Sequence, residues 1–257
     1  MYSIFDIFKI GIGPSSSHTV GPMKAAKKFI DTLENNLDLN IITRIDIELF
    51  GSLSFTGKGH NIDIGLVLGL SGYSPDNVSS KILDRANDMI NNKLIDLGSK
   101  GYKIPFDLGK NLIFDTKMIN QLNKMSFSAY NSKNEIIFKQ SFISIGGGFV
   151  VEEGKKISEN SHNFPFNFSS CNELLSMCQN NNIKIHNLIL SNEESLISKK
   201  EIYKKIEEIW NVMNECIHNG LKNEGVLIGS HAHTHNHMAD LTAEELKADI
   251  EQSNKIF

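Results

Sequence analysis

The densest group of residues able to do chemistry is Gly11-Ile-Gly-Pro-Ser-Ser-Ser-His-Thr-Val-Gly-Pro22. Its glycines and prolines force a defined turn. Ser15, Ser16, Ser17 and Thr19 bring hydroxyls to the start of a segment with helical periodicity, where unpaired backbone N–H groups favour a carboxylate or a phosphate. His18 sits among them and exchanges a proton near neutral pH. The same residues would also suit a serine-rich N-cap loop with an exposed histidine. A second group, Gly51-Ser-Leu-Ser-Phe-Thr-Gly-Lys-Gly-His-Asn-Ile-Asp63, follows an alternating strand and opens a helix. Such strand-to-helix turns are where α/β folds often place ligands. Lys58 is followed by Gly59 instead of Ser or Thr, so the spacing is not that of a P-loop, and it is not GxGxxG. Lys58 would hold a carboxylate as a point charge. His60 and Asp63, three apart, would share a helix face, with Asp63 orienting His60 as a base. A capped helix with a surface lysine is the plainer alternative.

A third group, Ser144-Ile-Gly-Gly-Gly-Phe-Val150, ends a strand. Gly146 and Gly147 permit close backbone approach to a ligand or to another domain, and serve equally as a hinge. The thiols Cys171, Cys178 and Cys216 form no CxxC pair, which argues for buried structural cysteines over a zinc ribbon or a common ferredoxin pattern. No metal-binding residue is assigned. His231-Ala-His-Thr-His-Asn-His237 would line up four imidazoles along an extended strand, an adventitious zinc or nickel site. A disordered tail, or an artefact of the expressed sequence or reading frame, explains it more simply.

These groups need elements to hold them. Apolar residues at helical spacing predict a helix over 23–33, and strict alternation predicts a half-buried strand over 44–49. Segment 60–70 reads as a buried helix, although its glycines argue against one. A helix is predicted around 82–90, and strands over 125–130 and 136–143 flank the turn Asn131–Asn134. Antiparallel pairing of those strands makes residues 1–150 an α+β domain of sandwich-like α/β layering. The polar stretch 151–168 reads as a linker. Beyond it the chain is helical: Ser191-Asn-Glu-Glu194 fits a capping box. Ile202, Ile206, Trp210, Met213 and Ile217 form one face of a long amphipathic helix, which Gly220 would close.

The 257 residues, 40% hydrophobic and 22% charged, describe an ordinary globular chain. A net charge of −4 gives no basic footprint for nucleic acid. No apolar run is long enough to span a bilayer, and the first ten residues lack the pattern of a secretory signal, so no membrane partner is expected. An odd count of three cysteines points to a reducing cytoplasm.

At GIGPSSSHTVGP, followed in order by GSLSFTGKGHNID and SIGGGFV, the chain resembles the N-terminal half of the bacterial iron–sulfur L-serine dehydratases, the L-serine ammonia-lyases. The resemblance runs from residue 2 to about residue 229 and ends at Asn223-Glu-Gly-Val-Leu-Ile-Gly229. It implies a β domain, a linker, and the first helices of an α-helical catalytic domain over 169–229. It also implies the reaction, in which L-serine loses its Cα proton and its β-hydroxyl and ends as pyruvate and ammonia. In that family a [4Fe–4S] cluster acts as Lewis acid on the hydroxyl, relieving charge on a poor leaving group. Carried onto this chain, Ser15, Ser16, Ser17, His18 and Thr19 form one interface loop, and Lys58, Gly59, His60 and Asp63 the other. His18 or His60 is the candidate for proton transfer, and the remaining residues, with Gly146 and Gly147, would bind serine.

In the family a basic stretch should follow the GVLxG segment and lead toward the cluster cysteines. Here residues 230–257 run SHAHTHNHMADLTAEELKADIEQSNKIF, without family pattern to the eye, and Cys171, Cys178 and Cys216 do not match the cluster ligands. The expectation is a C-terminally incomplete L-serine ammonia-lyase, inactive by itself. The alternative is a non-catalytic serine-binding regulatory module. The apolar face around Trp210, lacking its catalytic-domain neighbours, would be exposed or covered by a second copy, so a homodimer is expected.

Overall fold

A computed structural model of the chain describes residues 2–116, 123–155 and 162–222 and the isolated positions 242 and 244. A short helix α1 (Ile4–Ile7) and a π-helical turn (Ser16–Val20) precede α2 (Gly21–Asn36) and the strand β1 (Arg44–Leu49). Then come α3 (Ser52–Thr56), a 3-10 turn (Gly57–His60), α4 (Ile62–Leu70) and α5 (Ser80–Asn92). A hairpin of β2 (Leu94–Leu97) and β3 (Tyr102–Pro105) leads to α6 (Leu108–Asn111) and β4 (Leu112–Phe114). The strands β5 (Lys124–Tyr130), β6 (Ile136–Gly146) and β7 (Phe149–Glu152) follow, then the helices α7 (Cys171–Asn181), α8 (Ile185–Glu194) and α9 (Lys199–Lys222). The chain divides into two compact units, residues 1–205 and 206–257, with the boundary inside α9.

The main sheet has the order β4-β1-β5-β6-β7. In β1 the alternation works as expected: Ile45, Ile47 and Leu49 are fully buried and Arg44, Asp46 and Glu48 are not. Ile47 stands opposite Phe127 of antiparallel β5 on one side and Leu112 of parallel β4 on the other. α2 lies on this sheet through Met23, Phe29, Ile30 and Leu33, all fully buried, with Phe29 stacked on Phe127 at 5.1 Å between ring centroids. The result is the expected α+β layering, a five-stranded sheet with α2 packed on it, beside the separate β2–β3 hairpin.

The glycines of segment 60–70 explain themselves once α4 is in place. A side chain at Gly65 would meet the Thr19 carbonyl at 2.8 Å, and one at Gly69 would run into the Met23 carbonyl and the Ala26 side chain. α2 and α4 therefore cross almost backbone to backbone, which draws the turns preceding the two helices together.

Several local readings are corrected. Segment 94–114 holds the β2–β3 hairpin and β4, and β4 pairs parallel with β1; short strands of four and three residues gave too little periodicity to detect. The expected linker starts inside β7. At its far end Phe164 is only 4% exposed, and Phe166 exchanges two hydrogen bonds with the Asn192 amide, because two phenylalanines in a polar stretch still seek cover. Ser191 lies in the last turn of α8 and caps nothing; the box belongs to Ser198 and Glu201, which bond each other's backbone N–H groups at the start of α9. Gly220 lies within α9, which runs on to Lys222. The face carrying Ile206, Trp210, Met213 and Ile217 is exposed, Trp210 by 58%. The region 230–241, with its four histidines, lies outside the described residues.

Candidate functional site

The Ser15–Thr19 turn owes its shape to one carbonyl. Ser15 O accepts from both Thr19 N and Val20 N, and the five-residue spacing of the second bond makes the turn π-helical. Ser15 Oγ caps it by accepting from His18 N at 3.1 Å. The N–H groups of His18, Thr19 and Val20 are thus occupied, which removes most of the expected anion-binding helix start. The turn gives way directly to α2, whose first residue, Gly21, leaves room for Ser144 Oγ; a Cβ there would stand 2.6 Å from that oxygen. Ser144 Oγ donates to Ser17 O at 2.9 Å, tying the end of β6 to the serine turn.

The second turn meets the first. Thr19 is fully buried and its hydroxyl is committed twice, donating to His60 O at 2.6 Å and accepting from Ser15 N at 3.2 Å. Thr19 is therefore a stitch between the two turns, a correction to its expected contact with a ligand. The rings of His18 and His60 stand 5.1 Å apart between centroids, tilted by 41°. His18 Nδ1 lies 2.8 Å from Ser17 Oγ, and His18 Nε2 lies 3.0 Å from Ser52 Oγ. His60 Nδ1 lies 2.7 Å from the Thr56 carbonyl. A carbonyl only accepts, so His60 Nδ1 carries the proton and, in the neutral ring, Nε2 holds the lone pair. Burial, and secondarily the neighbouring His60, push the His18 pKa below the ordinary imidazole value; a backbone hydrogen bond with Ser52 opposes them.

Asp63 does not orient His60; the Thr56 carbonyl does, because the left-handed Asn61 separates the 3-10 turn from α4 and breaks the helical face the two residues would have shared. Asp63 instead accepts from Ile64 N at 2.9 Å. With Lys58, Ile62, Leu108, Gly109, Leu112 and Phe114 it lines a cavity of about 470 Å³ that includes neither histidine. Lys58 Nζ stands 5.0 Å over the Phe114 ring there. Gly59 is exposed, with open space where a side chain would sit, and Ser16 is exposed.

Gly146, Gly147 and Gly148 all have positive φ and form the β6–β7 turn. Gly148, not Gly146 or Gly147, closes on the serine turn: a Cβ there would meet Val20 at 3.0 Å and Ser16 O at 3.7 Å. Its carbonyl accepts from Lys24 Nζ at 3.0 Å. The ammonium of Lys24 is held below the ordinary lysine value by burial first, then by Lys9 and Lys28, against Asp76. The residues missed from sequence are Ser52, Ser144 and Asn123. Ser52 and Ser144 lie within the quoted motifs, whereas Asn123 precedes β5 with no local signal.

The three thiols do not supply a cluster site. Cys171 is exposed and Cys178 buried, about 10 Å apart along α7, and Cys216 lies in the second unit. Among the described residues no three His, Cys, Asp or Glu side chains gather to hold a metal ion. The residues described thus do not fit a [4Fe–4S] cluster by themselves. No helix among them is long and apolar enough to cross a membrane.

The family model described as serine dehydratase beta chain matches residues 3–155, which hold both turns and the whole main sheet. An L-serine dehydratase of Haemophilus influenzae is 37% identical over 233 residues, covering 89% of this chain and 51% of that protein. L-serine dehydratase TdcG and L-serine dehydratase 1 of Escherichia coli are 42% and 39% identical over the same shares. The chain thus spans about half the length of the curated relatives it matches. A second model, described as polysaccharide deacetylase, matches residues 169–257 and takes in 230–257, where the residues by themselves show no family pattern. The curated alignments leave only about a tenth of the chain uncovered, so most of 169–257 is shared between the two likenesses. With more than half its length inside the first match, the chain belongs to the serine dehydratase beta chain family.

Proposed function

We propose that this chain carries the β-domain part of an L-serine ammonia-lyase, converting L-serine to pyruvate and ammonia. The observation that supports it is the convergence of two hydroxyl- and imidazole-bearing turns, with His18 and His60 5.1 Å apart between ring centroids. His60 is the base: its Nδ1 is held by the Thr56 carbonyl, and its Nε2 lone pair takes the Cα proton. The substrate loses that proton and its β-hydroxyl, which together leave as water and give aminoacrylate. Uptake of one water then releases ammonia and leaves pyruvate. Burial and the neighbouring His60 lower the His18 pKa, which disfavours a second positive charge beside the base. Ser16 offers an exposed hydroxyl to the serine carboxylate, whereas the Ser15 and Ser17 hydroxyls are engaged within the turn and Lys58 and Asp63 line a separate cavity. The curated relatives bear the name L-serine dehydratase, and that name supports the substrate. A [4Fe–4S] cluster belongs to this reading through the family, and its ligands are not found among Cys171, Cys178 and Cys216. The free thiols suit a cytoplasmic setting. The exposed face of α9 suits a homodimer, which sedimentation tests; a monodisperse monomer refutes it.

The test is calorimetric titration of L-serine with pyruvate followed in parallel. Heat together with pyruvate supports the lyase. Heat without pyruvate is expected both of an incomplete lyase that keeps its serine site and of a serine-binding regulatory module; pyruvate formed once the C-terminal half of a relative is supplied favours the lyase, and its absence favours the module. Absence of both removes serine as the ligand.

A further inference from the structure

The His18 ring is bonded at both nitrogens, and the hydrogen bonds around it permit one arrangement of protons. Asn123 Oδ1 lies 3.1 Å from Ser52 N. A backbone N–H only donates, so the Asn123 amide must present its oxygen to Ser52. The same oxygen lies 2.6 Å from Ser52 Oγ and accepts from it too, so the Ser52 hydroxyl proton is committed to Asn123. Ser52 Oγ can then meet His18 Nε2, at 3.0 Å, only as acceptor. Nε2 carries the ring proton, Nδ1 is bare, and the Ser17 hydroxyl, 2.8 Å away, donates to it. Ser15 Oγ, 3.4 Å from Ser17 Oγ, completes a chain in which every proton points toward Asn123.

We infer that Asn123, acting through Ser52, is a positioning residue that fixes His18 as its Nε2–H tautomer and turns the His18 Nδ1 lone pair onto the Ser17 hydroxyl. The backbone holds this relay in place at both ends. Asn123 O accepts from Ser144 N at 2.8 Å, and Ser144 Oγ donates to Ser17 O, so the Asn123–Ser52–His18–Ser17–Ser144 contacts close into a ring. The ring joins the start of β5, the first turn of α3, the serine turn and the end of β6. It gives the two imidazoles different work. His60 keeps an open Nε2, whereas His18 has no open nitrogen and acts only on Ser17, whose hydroxyl proton it holds inside the turn.

This deepens the serine-lyase reading by naming what orients one of its imidazoles, yet its test needs no substrate, so the two can fail separately. Long-range ¹⁵N–¹H correlation spectra of the whole chain at about pH 8, above the ordinary imidazole pKa of about 6.5, report which nitrogen of a neutral ring is protonated. The His18 signals are those lost in His18→Gln. The expected result is a single Nε2–H form, and an Nδ1–H form or a rapidly exchanging mixture overturns the inference. Asn123→Ala and Ser52→Ala should each lose the single-tautomer signature; an unchanged Nε2–H pattern in either contradicts the relay. Asn123→Asp covers the case in which removing the amide disturbs the fold. Its carboxylate can still accept from Ser52 N and Oγ, so the Nε2–H form should persist, and its loss would also overturn the assignment.

Discussion

The two imidazole-bearing turns are built from similar residues and end in different states. In the serine turn His18 is bonded through both ring nitrogens, to Ser17 and to Ser52. In the glycine-lysine turn His60 is bonded through one, to the Thr56 carbonyl. Local backbone makes the difference. The π-helical turn folds His18 back among its own hydroxyls and against α3, whereas the 3-10 turn and left-handed Asn61 leave the far edge of His60 unengaged. Proximity alone therefore does not assign a base; the partners of each nitrogen do.

The largest effect should come from removing the open nitrogen. In protein that forms pyruvate, His60→Gln should slow turnover by about 10²–10⁴-fold, the usual worth of a positioned general base. His18→Gln should cost less, and equal losses would erase the distinction between the turns. Next comes the crossing that brings them together. Gly69→Ala places a methyl group against the Met23 carbonyl and should lower unfolding stability by about 3 kcal/mol in denaturant titration. A neutral result would mean that α2 and α4 do not approach as closely as described. Thr19→Val removes the buried hydroxyl that ties the turns and leaves its half-buried partners, Ser15 N and His60 O, unpaired, for a loss of about 2 kcal/mol by the same assay. The smallest effect concerns pH. Because the folded-state pKa of His18 is lowered, the unfolded chain binds that proton more readily. This contribution costs nothing above the ordinary imidazole pKa and subtracts stability as pH falls through it. His18→Gln should accordingly lose less stability than the native chain between about pH 7 and 5, measured by thermal melts.

The sequence exposed this site unevenly, for physical reasons. β1 and α2 were legible because each buries one face and the period shows it. The glycines of α4 looked like a weakness in isolation; only the partner backbone across from Gly65 and Gly69 makes them necessary. His18 and His60 stood out because they sit in unusual runs. Asn123 did not, since its importance lies in facing Ser52 across 71 positions of chain, a relation that no local pattern encodes. Spacing alone groups Lys58 and Asp63 with His60, but the left-handed Asn61 sends them to a different cavity. The capping box falls at Ser198 instead of Ser191 because the chain offers the same Ser-x-x-Glu pattern at two starts seven residues apart, and only the second coincides with a helix start.

The central claim is that both turns face one ligand, and L-serine titrated into ¹⁵N-labelled chain tests it most directly. The ring signals of His18 and His60 should shift together along one saturation curve with a single Kd. Movement of only one ring, two unrelated curves, or no movement at saturating serine would contradict it.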